Sequence, residues 1–127
     1  MKLSKAQFEI IKILWSSSTP LSIKQIADKT KRRCAKVFLT KMVVEDMLSS
    51  GALFQSGSYT SNAGHRATVA LFSPTIRFDD YYTELFRIIP TFKIATLIKK
   101  LIESMPFELE LLYDLEKALK MKVAELQ

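Results

Sequence analysis

This 127-residue sequence has one cysteine, one histidine, three glycines and no long uncharged apolar run. Cys34 and His65 alone cannot form a disulfide framework or a Cys/His zinc site. With so little glycine there is no Gly-rich phosphate loop, and no Gly-x-Ser-x-Gly elbow occurs. Asp79 and Asp80 are adjacent, so on a helix they do not face each other, and no histidine accompanies them as a base. No stretch approaches the about 18 apolar residues needed to span a bilayer, and MKLSKAQFEI lacks an apolar core followed by a small-residue cleavage site. These absences predict a non-enzyme with no cofactor or metal, no membrane partner and a cytoplasmic location.

The charge present is unevenly placed. Residues 1–77 hold 12 Lys/Arg against 4 Asp/Glu, whereas residues 78–127 hold 7 against 9. A basic half on a small domain is the electrostatic footprint of polyanion binding, because cations that neutralise phosphates release condensed counterions. A solvated surface would show the same sum, so position along the chain has to decide.

Ser4 and Gln7 have capping-box spacing, and Phe8, Ile11, Leu14 and Trp15 recur at helical intervals, predicting a helix from about Ser4 to Ser16. After the breaker at 16–20 and a short extended piece at Thr19–Leu21, Ser22 caps a two-turn helix ending near Thr30. A third helix is expected from about Cys34 to Ser50, with Val37, Val44, Met47 and Leu48 inward and Gly51 as its stop. Ala52–Gln55 and Ala67–Phe72 then read as strands around a long polar loop, GSYTSNAGHR. Helical spacing returns through Tyr81, Leu85 and Ile88, breaks at Pro90, and resumes over Phe92–Glu103. A last helix is expected to open at Ser104–Pro106 and run to about Glu125.

Three helices, a hairpin and more helices give a mainly α chain with a small β-hairpin. The expected architecture is a winged helix-turn-helix over residues 1–76 followed by a helical dimerisation region over 77–127. In such a fold the third helix enters the major groove and the hairpin loop meets the backbone or minor groove. The C-terminal helices are too apolar to stand alone, so Tyr81, Leu85, Ile88, Leu97, Leu101, Leu112, Leu115 and Leu119 are expected at a homodimer interface, together with the aromatic residues Phe78, Tyr82, Phe86 and Phe92. Two-fold symmetry would then match a palindromic operator in double-stranded DNA.

LSKAQFEIIKILW at the start, SIKQIA, VVEDMLSSGAL, VALFSP and ELLYDLEKAL together resemble the penicillinase-repressor family, which includes β-lactamase, methicillin-resistance and copper-responsive repressors. The resemblance runs from Leu3 to about Leu119. It implies a cytosolic bacterial transcriptional repressor, dimeric through its C-terminal helices, that holds an operator until a signal releases it. Some relatives are cut in the C-terminal region by a membrane sensor protease, so that partner is implied too, although no Asn-Phe pair occurs here. The copper-responsive branch is excluded because one cysteine cannot supply a thiolate cluster.

The third helix departs from the family pattern. Its outer face is expected to show Phe38, Met42, Glu45 and Asp46, and only Lys41 keeps the family's residue type. The residues expected on DNA are Lys31, Arg32, Arg33, Lys36, Phe38, Lys41, Met42 and Arg66, with Lys29 in the same basic run. His65, Ser58, Tyr59 and Thr60 are candidates from the wing. Cys34, beside Arg32 and Arg33, is a candidate redox sensor, though small helical cysteines are more often inert. The alternative reading is a winged-helix protein-interaction module, anchored by Phe38, Leu39 and Met42, with weak or no sequence-specific DNA binding.

Overall fold

The computed structural model describes residues 2–30, 36–61 and 67–127, the side chain of Lys36 excepted. Along these run α1 (Lys5–Trp15), α2 (Ile23–Lys29), α3 (Lys36–Ser50), β1 (Leu53–Ser61), β2 (Ala67–Pro74), α4 (Phe78–Phe86), α5 (Thr91–Ser104) and α6 (Leu109–Leu126). They form two compact units, Met1–Glu84 and Leu85–Gln127. No helix among the described residues is long and apolar enough to cross a membrane.

The first unit is a winged helix-turn-helix, and its elements start where local chemistry dictates. Two Ser-x-x-Gln capping boxes open α1 and α2. Gln7 N–H donates to Ser4 Oγ at 3.2 Å while Ser4 N–H donates to Gln7 Oε1 at 3.0 Å. Gln25 and Ser22 repeat the exchange at 3.2 and 2.9 Å. Each box satisfies two backbone donors that a helix start would otherwise leave open. At the end of α3, Gly51 takes φ +83°. There the Ala52 N–H reaches Met47 O at 2.8 Å and the Gly51 N–H reaches Leu48 O at 3.2 Å, the paired bonds of a Schellman stop.

Ile10, Ile11 and Leu14 of α1, Ile26 of α2, and Val44 and Met47 of α3 meet Leu21, Ala52, Leu53 and Phe72 in one buried core. The expected extended piece at Thr19–Leu21 proves to be a single bridge, with Leu21 and Phe72 exchanging backbone bonds of 3.2 and 2.8 Å. That bridge ties the segment before α2 to the base of the hairpin.

Four expectations need correction. Val37 is exposed rather than inward, and Thr40 takes the inner position instead. Inward positions at 40, 44 and 47 follow the helical period, and Val37 falls one turn before the contact with the rest of the core begins. The hairpin strands extend further than expected. Gly57–Ser61 pairs with Ala67–Leu71 past a bulge between Gln55 and Gly57, so half of the anticipated loop is strand. Its polar side chains misled the reading because a wing projecting into water needs no apolar face there. Next, α4 ends at Phe86 and leaves Ile88 in a turn, since Pro90 disfavours helical backbone before it. Finally, Pro106 does not open the last helix. Met105 ahead of it is extended, at φ −91° and ψ 144°, and α6 begins only at Leu109.

The first unit runs on to Glu84 because the start of α4 carries rings that pack on α1. Phe8, Trp15, Phe78, Tyr81 and Tyr82 form one cluster, with centroid separations of 4.9 to 6.2 Å. The Trp15 indole N–H donates to Ile76 O at 2.9 Å. Phe78, Tyr81 and Tyr82, expected at a dimer interface, each pack on Trp15 within their own chain, Tyr81 on Phe8 as well.

Candidate nucleic-acid interface

α2 stops where the basic run begins. Thr30, buried and extended at ψ 156°, closes the helix by donating from both N–H and Oγ1 to Ala27 O, at 3.2 and 2.9 Å. Lys31, Arg32, Arg33 and Cys34 follow in sequence and lie outside the described residues, as do His65 and Arg66 of the wing. Lys36 begins α3, its side chain likewise outside the description.

From Val37 onward the outer face of α3 is open. Phe38 is 63% exposed and Met42 49%, one turn apart, with Val37 and Leu39 flanking them. Glu45, a further turn on, faces Lys41 at 4.0 Å, both side chains about 60% exposed. Such an exposed pair contributes little to stability but offsets the carboxylate's charge locally. Asp46 is exposed beside it. Phe38, Lys41 and Met42 therefore stand together on one face, as the sequence predicted.

The same helix carries a buried anomaly. Thr40 is 1% exposed, and its Oγ1 has no hydrogen-bond partner among the described residues. A buried hydroxyl left unpaired costs about 1–3 kcal/mol. Thr40→Val keeps the shape and removes the hydroxyl, so thermal melting is expected to rise by a few degrees, equivalent to about 1 kcal/mol. A lowered melting point would show that the hydroxyl is paired in solution.

On the wing, Ser58, Tyr59 and Thr60 are all exposed within β1 rather than in a loop. Sequence reasoning passed over Phe54, which is 49% exposed on the same strand. Its signal was present, since Phe54 and Leu53 are adjacent and adjacent strand residues face opposite sides.

The second unit has a different character. From Leu85 to Gln127 no side chain is buried. Leu85, Leu97, Leu101, Leu115 and Leu119 are exposed, Ile88 strongly so at 87%, and Leu112 is half-buried. Between α5 and α6 lies a cavity of about 390 Å³ lined by Ile98, Leu101, Ile102, Phe107, Leu115, Ala118 and Leu119. Three of the residues predicted for the interface, Leu101, Leu115 and Leu119, are thus brought together there.

The chain matches no family model and no curated protein.

Proposed function

We propose that this protein is a DNA-binding transcriptional repressor that sits on a palindromic operator as a homodimer, as the resemblance to penicillinase repressors implies. The observation that carries the reading is a helix-turn-helix with its third helix open to solvent, in a half-chain holding 12 Lys/Arg against 4 Asp/Glu. Helix-turn-helix domains approach phosphates through the turn and the start of the recognition helix, and Lys29, Lys31, Arg32, Arg33 and Lys36 fall at those sequence positions. Dimerisation draws support from the second unit. A 43-residue helical segment without a buried side chain lacks a core of its own, and a second copy would cover its apolar faces.

Selection from a random duplex pool, followed by sequencing, tests the proposal. The wild-type protein is expected to enrich a palindrome with half-sites about one helical turn, or a multiple of it, apart. Arg32→Ala/Arg33→Ala should weaken binding to all sequences and flatten the dependence of log K on log salt by about 2. Absence of any enriched site would reject the repressor reading.

A second reading has one observation in its favour. Phe38, Leu39 and Met42 form an exposed apolar patch, which suits a protein-interaction module. Binding through that patch would change little with ionic strength.

A further inference from the structure

We infer that α3 selects its DNA site through thymine methyl groups, with Phe38 and Met42 as the residues that touch them. The inference rests on the DNA-binding reading and adds the chemistry by which bases would be distinguished.

Base pairs are most often told apart by Arg or Lys on guanine and by Asn or Gln on adenine, each through paired hydrogen bonds. The helix sequence KVFLTKMVVEDMLSS contains no Arg, Asn or Gln. Its lysines are Lys36 at the first position and Lys41, whose ammonium lies 4.0 Å from Glu45. The most common polar means of base discrimination are therefore largely missing from this helix.

What the outer face does offer is apolar. Phe38 and Met42 lie one turn apart, 63% and 49% exposed, at the centre of the face. The thymine 5-methyl is the apolar feature that distinguishes a base pair in the major groove, and aromatic and aliphatic side chains are its natural contacts. Glu45 continues the same stripe one turn on and can accept a hydrogen bond from cytosine N4, with Lys41 beside it to reduce repulsion from phosphates. Both features favour a half-site with pyrimidines on the strand that α3 meets. Charge identifies the occupant of this apolar face. The face follows directly on the run Lys29, Lys31, Arg32, Arg33 and Lys36, a setting that suits a polyanion better than an apolar protein surface.

The test uses the duplex recovered by selection from the random pool and a synthetic copy with deoxyuridine replacing every thymidine. Uracil keeps the O4 acceptor and the pairing, and lacks only the methyl. The full-length wild-type protein is expected to bind the uracil copy more weakly, by about fourfold for each methyl in contact. Phe38→Ala and Met42→Ala should each shrink that ratio towards one. Both side chains are exposed, and circular dichroism would confirm that the variants fold. Arg32→Ala/Arg33→Ala should weaken both duplexes and leave the ratio as in the wild type. Equal wild-type affinity for the two duplexes would overturn the methyl-reading inference and leave the repressor reading standing, as would a ratio unaffected by both alanine variants. Failure to recover any duplex would remove the repressor reading and this inference together, and would reassign the face to a protein partner.

Discussion

Ile26→Ala is expected to destabilise the winged unit by about 2–5 kcal/mol, the range found when a fully buried aliphatic side chain is cut back to a methyl. Ile26 has no exposed surface and sits in the core that α1, α2, α3 and the base of the hairpin share. A domain of this size commonly has about 5–15 kcal/mol of stability in all, so the loss is a large fraction of the whole. Trp15 is the only tryptophan in the chain, and its fluorescence reports on this unit during a urea titration. The midpoint should fall sharply with little change in slope. Leu109→Ala serves as a control, since Leu109 is 64% exposed on α6 and should leave the Trp15 transition in place. A loss below about 1 kcal/mol for Ile26→Ala would mean that the core tolerates a void there, against the close packing that interiors ordinarily show.

Placing charge in the cavity between α5 and α6 should have the second large effect. Leu115→Glu/Leu119→Glu puts two carboxylates on its lining, and in a symmetric dimer each occurs twice. The wild-type protein is expected to sediment at twice the 14.5 kDa of one chain, and the variant as a monomer at that mass. Losing the burial of partly exposed leucines and adding unpaired charges should weaken association by about 3–6 kcal/mol, roughly 10²–10⁴-fold. The Trp15 transition should not move, because the substitutions lie in the other unit. A monomeric wild type would reject the homodimer, and two dimeric proteins would reject this face as its interface. With a dimer lost, each chain would meet a single half-site, and operator affinity should fall with it.

Much of the winged unit was legible because its elements begin and end on residues with specific backbone chemistry. Ser4 with Gln7, Ser22 with Gln25, and Gly51 each mark a boundary that the structure keeps within a residue or two. The differences have separate physical causes. Val37 was placed inward by helical period, yet it is exposed and Thr40 is buried, because the contact surface of α3 begins only after its first turn. Gly57–Ser61 read as loop because its residues are polar, while strand pairing there depends on backbone bonds to Ala67–Leu71. Pro106 suggested a helix start where its restriction on Met105 instead delayed one. Of the candidate interface, Phe38, Lys41 and Met42 were legible from helical period, whereas where along α3 the burial begins depends on tertiary contacts that no local pattern contains.

The starts of α1 and α2 differ from those of α4 and α6. α1 and α2 are capped by neutral serine and glutamine, and neither they nor α3 has an acidic residue in its first turn, whereas α4 and α6 begin with Asp79, Asp80 and Glu110. With no carboxylate in their own first turns, the positive ends of the α1 and α2 dipoles add to the field of the lysines and arginines. Because the caps do not titrate, acidification that strips charge from a domain capped by aspartate or glutamate leaves these two helix starts unchanged. In this respect α1 and α2 are built to hold their starts, and the positive field there, across a wide range of acidity.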